Sequence, residues 1–178
     1  MTSSLSRLKN LDVSLLAERL GRLCRKHGVE LTTAESCTGG GVASAITGAA
    51  GSSAYFATGY VTYSNAAKTR LLGVPPELLE THGAVSEEVV TAMVAGACRE
   101  SGARLGVAVS GVAGPDGGSE AKPVGTVWLA WGDGDQCETE RCHFYGDRQA
   151  VREQAVRRAL AGLIVAVERR YRTAQGEN

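Results

Sequence analysis

From Asp12 onward, Val13, Leu16, Leu20 and Leu23 recur at the three-to-four-residue spacing of one helix face, and Gly28 follows as a stop. The period then changes. Residues 29–33 read as a short buried strand that runs directly into Glu35-Ser36-Cys37-Thr38-Gly39-Gly40-Gly41. Val42, Ala43, Ala45 and Ile46 describe a small-residue helix closing at Gly48, and Gly51-Ser52-Ser53 is a loop. Residues 55–63 alternate and are rich in aromatic and β-branched side chains, the signature of a strand. Ser64 stands at the cap of a short helix carrying Ala67, Leu71 and Leu72, with Gly73 behind it. Pro75-Pro76 interrupts the chain, and a further turn of helix reaches His82. Ser86 with Glu87 and Glu88 marks another helix start, its acids at the positive end of the dipole, and this helix runs to about Ser101. Residues 105–110 are a buried strand, and 111–122 a long Gly/Pro loop. Residues 124–131 and 138–144 alternate around Gly132-Asp133-Gly134-Asp135, as a hairpin does. Asp147 caps a last helix whose buried stripe is Val151, Ala155, Leu160, Leu163 and Val167.

The order α, β, α, β, α, α, β, β, β, α predicts a single layered α/β/α domain with a mixed sheet that includes a C-terminal hairpin. It spans residues 12–171, with 1–11 and 172–178 as flexible tails. No repeat and no second-domain linker is visible. At 43% hydrophobic and 21% charged, a chain of 178 residues can build its own core. Its net charge is zero, which argues against a nucleic-acid or membrane-surface protein, since both usually carry a basic excess. No window approaches 18 apolar residues, and residues 1–10 lack an apolar signal core. The cysteines Cys24, Cys37, Cys98, Cys137 and Cys142 form an odd, irregular set, which reads as reduced thiols in a cytoplasmic protein. Cys137, Cys142 and His143 lack a second close ligand pair and are read as strand residues, so no metal site is expected.

Two biases sharpen the picture. Glycine is 23 of 178 residues, clustered at 39–41, 48–51, 111–118 and 132–134, where backbone must turn sharply or lie close to something. Of 19 basic residues only Lys9, Lys26, Lys68 and Lys122 are lysines, and a chain that otherwise writes arginine can keep lysine where an amine must lose its proton.

The chemistry concentrates in four places. Ser36 lies where a strand gives way to a Gly-rich helix start, whose free N–H groups can hold an anion or a developing oxyanion, although a tight turn with Ser36 as its cap is equally compatible. The segment is neither a Gly-Lys-Ser/Thr phosphate loop nor Gly-x-Ser-x-Gly. His27, His82 and His143 all lie outside polar-dense segments, which leaves a Ser–His–Asp triad thinly supported. Lys68, one turn into the helix after Tyr63-Ser64-Asn65, is the better base. Burial would have to lower its pKa from about 10.4 for that role, and a solvated helix lysine is the alternative. The loop Ser110-Gly111-Val112-Ala113-Gly114-Pro115-Asp116-Gly117-Gly118-Ser119 follows a buried strand, the usual place for a binding loop in an α/β sheet. Arg148, after Gly146-Asp147, and Ser52-Ser53 are candidate contacts for an anionic group, or a helix-surface arginine and a turn.

Taken together, Thr33-Ala34-Glu35-Ser36-Cys37-Thr38-Gly39-Gly40, Gly51-Ser52-Ser53, Val61-Thr62-Tyr63-Ser64-Asn65-x-x-Lys68 and His82-Gly83-Ala84-Val85-Ser86 occur in order. Gly111-Val112-Ala113-Gly114-Pro115-Asp116-Gly117-Gly118, Lys122-Pro123-Val124-Gly125-Thr126-Val127 and Gly146-Asp147-Arg148 follow. This series resembles the CinA C-terminal domain family, in its form as stand-alone nicotinamide-nucleotide amidases, over about residues 12–168. The resemblance implies an α/β fold and hydrolysis of nicotinamide mononucleotide to nicotinate mononucleotide and ammonia, with no cofactor. It implies Ser36 as nucleophile, Lys68 as its base and Tyr63 beside them. Substrate contacts are expected from Cys37, Thr38, Gly39, Gly40, Ser52, Ser53, Asn65, Ser110, Gly111, Gly114 and Arg148, with an oxyanion held by N–H groups of residues 37–40. One departure stands out: the family often places threonine where this chain has Ser110. The expected partner is a small-molecule substrate, not nucleic acid or membrane, and the expected assembly a homo-oligomer, with a dimer as the base rate. Another small amide as substrate, a nucleotide-sensing module without turnover, and an interaction protein linked to competence or DNA damage are the competing readings.

Overall fold

The computed structural model describes Leu8 and residues 11–174, and among these it contains six α-helices and five strands. In chain order they are α1 (Val13–His27), β1 (Leu31–Glu35), α2 (Gly41–Thr47), β2 (Phe56–Val61), α3 (Asn65–Leu72), α4 (Pro76–His82), α5 (Glu87–Ser101), β3 (Leu105–Gly111), β4 (Thr126–Gly132), β5 (Cys137–His143) and α6 (Arg148–Ala174). A short 3-10 turn, Ser52–Ala54, leads into β2. The strand order is β2-β1-β3-β4-β5. The first three strands are parallel, and β4 and β5 join antiparallel. The architecture is the α/β/α sandwich that the element order predicts.

The two sheet faces are built differently. Leu105, Val107 and Val109 of β3 and Val127, Leu129 and Trp131 of β4 face α1, α2 and α6 in the larger core. The alternate positions Ala34, Ala108 and Ala130 face α3, α4 and α5. Small side chains on that face let α5 settle close to the sheet. A Cβ on Gly106 would stand 3.0 Å from Val94 Cγ2 and 3.1 Å from Cys98 Sγ. The strand period of two therefore sorts bulky residues to one layer and alanine to the other.

Local signals account for most boundaries. Gly28, at φ 62°, closes α1 with the Val29 N–H on Cys24 O, so Val29 belongs to the helix stop and β1 begins at Leu31, two residues later than the pattern predicts. Ser64 and Ser86 cap α3 and α5 through the N–H groups of Ala67 and Val89. The Asp133 carboxylate accepts from Asp135 and Gln136 N–H and closes the β4–β5 hairpin. Leu8 is fully buried and Leu11 packs on the same core, upstream of the expected boundary at Asp12, and α6 runs on to Ala174. The rest of the expected tails, residues 1–7, 9, 10 and 175–178, lies outside the described residues. No described helix is long and apolar enough to cross a membrane.

Candidate active site

Three chain segments leave the sheet at the same edge. Ser36 follows the C-terminal end of β1, Thr62 and Tyr63 follow β2, and the Gly-rich loop follows β3. Hydrogen bonds carry the ladder one step beyond the strands: Ser36 N–H donates to Val109 O at 2.9 Å and Thr62 N–H to Glu35 O at 2.8 Å. Ser36 is thus fixed by its backbone to β3, on the edge where open parallel sheets bind ligands.

Lys68 reaches this edge from α3. It is 1% exposed, among the largest fully buried side chains of the molecule. Its Nζ lies 3.1 Å from Ser36 Oγ and donates to Thr62 O at 2.7 Å. No carboxylate pairs with it among the described residues. Burial lowers its pKa from the ordinary 10.5, because the ammonium has lost its water, and the neighbouring Cys37 sulfur only partly opposes this. The amine is therefore biased toward the neutral form, which can accept a proton from the hydroxyl in contact with it.

The turn carrying Ser36 is held from several sides. Gly39 and Gly40 have φ of 59° and 94°, a conformation other residues rarely adopt, and this is why glycine stands there. Glu35, fully buried at the end of β1, reaches across the turn to the start of α2. Its Oε2 accepts from Gly40 and Val42 N–H at 3.1 and 3.0 Å, and its Oε1 from Ala43 N–H at 2.8 Å. From α6, Arg152 donates to Cys37 O and Thr38 O, both at 3.1 Å. The sequence reading singled out neither Glu35 nor Arg152 as functional. An acidic residue just before a helix start is the signal that finds Glu35. For Arg152 the signal is its four-residue spacing from Arg148 on α6.

Glu35 changes the expected anion chemistry. The helix start is already occupied by the protein's own carboxylate. Gly39 N–H donates to Ser36 O and Gly40 N–H to Glu35, so these two amides are engaged inside the turn. Among the described residues no oxygen accepts from Cys37 or Thr38 N–H, and the Cys37 amide lies against its own sulfur.

A cavity of about 250 Å³ opens above Ser36, lined also by Cys37, Tyr63, the loop residues Gly111, Val112, Ala113, Gly114, Asp116 and Gly117, and Arg148. The guanidinium of Arg148 donates to Gly114 O and to the Tyr63 hydroxyl, both at 2.8 Å, and so ties the β3–β4 loop to the segment after β2. Tyr63 is 60% exposed and forms a wall of the cavity. Its hydroxyl is bonded to Arg148, with no hydrogen bond to Ser36 or Lys68. A larger cavity of about 690 Å³, sharing Arg148 and lined by Thr38 and Arg152, adjoins the first. Burial pushes the Cys37 thiol up to about 12, which leaves it an inert wall.

Other expected contacts fall elsewhere. Ser52 and Ser53 lie before β2, at the opposite sheet edge. Leu31 pairs with Phe56, and five strand residues separate that end from Ser36, roughly 16 Å at about 3.3 Å each. Asn65 is exposed at the start of α3 and lines neither cavity. Ser110 is 1% exposed and donates to Ala84 O at 2.7 Å, fastening the α4–α5 connection to β3. A hydroxyl suffices for that bond, so serine serves where threonine is usual. Lys122 Nζ makes a parallel tie to His82 O at 2.6 Å. Among the described residues no group of His, Cys, Asp or Glu is arranged to hold a metal ion.

Comparisons with known proteins bear on the family and the fold. The family model described as the CinA C-terminal domain matches residues 13–167. A Pseudomonas putida protein named nicotinamide-nucleotide amidohydrolase PncC is 65% identical over 152 residues, covering 85% of this chain and 95% of that protein. The protein of the same name from Escherichia coli K12 is 53% identical over 154 residues, covering 85% and 93%. A CinA-like protein from Geobacter is 57% identical over 141 residues, 79% of this chain but only 34% of that longer protein. Among solved structures, a CinA superfamily protein from Klebsiella pneumoniae superposes with a TM-score of 0.86 at 44% identity, over 89% of this chain and 99% of that one.

Proposed function

Because the chain belongs to the CinA C-terminal domain family, and relatives of its own size carry the name nicotinamide-nucleotide amidohydrolase, we propose that it hydrolyses nicotinamide mononucleotide to nicotinate mononucleotide and ammonia. The observation that carries the reading is the buried Lys68 amine 3.1 Å from Ser36 Oγ with no carboxylate to keep it charged.

Neutral Lys68 takes the Ser36 hydroxyl proton as Oγ attacks the carboxamide carbon. The resulting oxyanion is received by Cys37 and Thr38 N–H, the two amides of the turn that give no hydrogen bond to an oxygen of the protein. The C–N bond breaks, Lys68 hands its proton to the leaving nitrogen, and ammonia departs from a nicotinoyl ester on Ser36. Water then adds to that ester while Lys68 takes its proton. The ester bond breaks, the proton returns to Ser36 Oγ, and the acid product leaves. Lys68 starts and ends each half-reaction neutral, which its burial favours. Cys37, Tyr63, Gly111, Gly114 and Arg148 form the walls around the pyridine ring, and Thr38 and Arg148 lead into the larger cavity, which takes the ribose phosphate. Gly39 and Gly40 serve the shape of the turn.

Ammonia release from nicotinamide mononucleotide, measured in a coupled assay beside nicotinamide and glutamine, tests the reading. Ser36→Ala is expected to abolish release while retaining substrate binding. Lys68→Arg is expected to abolish it because guanidinium does not act as a base near neutral pH. Near-normal turnover in either variant overturns the serine–lysine mechanism, and turnover of glutamine alone overturns the substrate.

A further inference from the structure

We propose that Asp116 gives this pocket its preference for a pyridine ring carrying a permanent positive charge, the N-ribosylated form of nicotinamide, over an uncharged ring. The proposal rests on the amidase reading of Ser36 and Lys68.

The argument begins with the charges that face the ring. Among the described residues, two formally charged side chains line the 250 Å³ cavity, Arg148 and Asp116. Lys68 lies behind Ser36, and burial biases it toward neutrality. Arg148 is committed to Gly114 O and the Tyr63 hydroxyl. Asp116 is different. An aspartate in a glycine-rich turn ordinarily accepts from a backbone N–H nearby, as Asp133 and Asp147 do in this molecule. Among the described residues, the Asp116 carboxylate takes part in no hydrogen bond or ion pair. It is exposed, so water rather than protein serves its carboxylate, and the loop places it on the cavity wall, between Gly114 and Gly117, both at positive φ.

The substrate supplies the missing partner. N-ribosylation makes the ring a pyridinium cation, with the charge on the nitrogen meta to the carboxamide. With the carboxamide carbon at Ser36, the positive nitrogen lies across one ring width, inside the same cavity. At the other end the substrate carries a phosphate. The smaller cavity thus offers one acid toward the ring, while the adjoining cavity carries Arg148 and Arg152 together with Asp147 and Glu153, so the charge selection rests on Asp116 at the ring end. Free nicotinamide offers the same carboxamide without the cation and gains nothing from Asp116.

The test compares the effect of one substitution on two substrates, nicotinamide mononucleotide and its dihydropyridine form, which has the same ribose phosphate, an uncharged ring and an intrinsically less reactive carboxamide, so that each substrate is referred to its own wild-type value. For Asp116→Asn, kcat/KM on the cationic substrate is expected to fall about three- to fivefold, the size of one partly solvated ion pair, chiefly through KM. The value for the reduced form is expected to hold, and Asp116→Glu to restore the preference. Equal losses on both substrates, or none on the cationic one, overturn the proposal. Calorimetric binding of both forms to Ser36→Ala and to Ser36→Ala/Asp116→Asn reads the same preference without turnover. If the wild type releases no ammonia, the amidase reading fails while this comparison still decides the role of Asp116.

Discussion

The three hydrogen bonds to Glu35 make the turn carrying Ser36 sensitive to a single substitution. Glu35→Ala removes all three acceptor contacts and orphans Gly40, Val42 and Ala43 N–H at the start of α2. Val42 is fully buried, while water partly reaches Gly40 and Ala43. A charge-assisted bond contributes about 1.5–3 kcal/mol, and a buried orphan costs about 1–3. One full penalty and two reduced ones amount to about 4–5 kcal/mol. Against the usual 5–15 kcal/mol of a domain, the alanine variant sits near the edge of folding. Glu35→Gln is the informative change. Its amide oxygen in the place of Oε2 keeps Gly40 and Val42, but its NH₂ in the place of Oε1 points donors at the Ala43 N–H. One bond is lost and two lose their charge, for about 2–3 kcal/mol. Urea unfolding followed by circular dichroism measures this as a lower midpoint at unchanged slope. Because Ser36 is the next residue, the same shift displaces Oγ from Lys68, and misplacement by about 1 Å costs on the order of 100-fold in rate. A glutamine variant within about 0.5 kcal/mol of wild type and with undiminished kcat would show that the carboxylate holds nothing.

Other substitutions probe the rest of the argument. Lys68→Met should abolish turnover yet stabilise the fold near neutral pH. The folded-state pKa of Lys68 lies below the ordinary 10.5, so the unfolded chain binds more protons, and wild-type stability relative to the variant should climb as pH rises toward that value. Denaturant midpoints of both proteins from pH 7 to 10 read the difference, and a flat difference contradicts the burial argument. Thiol alkylation followed by mass spectrometry should label Cys137 and Cys142 first, because they are only half-buried while Cys24, Cys37 and Cys98 are buried, although burial raises the Cys137 thiol as well. Rapid native labelling of Cys37 would refute its assignment as an inert wall. Gly162→Ala should destabilise despite the better helix propensity of alanine, since a Cβ there would meet Trp131 Cε2 at 2.1 Å. A loss of about 1–3 kcal/mol is expected in thermal unfolding, and any gain would show that the indole yields easily.

How much of this was legible before the structure depends on which groups make each contact. Periodicity located the layers because burial repeats every two or 3.6 residues whatever the partner is. Ser64, Ser86 and Asp147 were readable as caps because a cap acts on N–H groups a few residues away. Lys68 could be nominated from lysine scarcity and a polar neighbourhood. Its contact with Ser36, 32 residues away in sequence, follows only once β1 and β2 pair in parallel and bring both strand ends to one edge. Ser52 and Ser53 show the converse: hydroxyls beside glycines look like an anion site in sequence, yet strand direction sends them to the far edge.

The Gly-rich helix start shows why a local motif can be read correctly and still mislead. Its chemistry is what the sequence promises, a set of N–H donors at the positive end of a helix. What the motif does not reveal is that the acceptor is already in the chain, one residue before the nucleophile. With Glu35 seated there, a second anion at the same amides would face a buried carboxylate that has no ion pair among the described residues. In the proposed reaction this directs the phosphate away from α2, toward the cavity of Arg148 and Arg152, and leaves Cys37 and Thr38 N–H for the oxyanion. The carboxylate that excludes phosphate from the helix start is the same group that fastens both ends of the nucleophile turn. In the proposed reaction, placing the substrate and positioning Ser36 are thus two consequences of one buried acid.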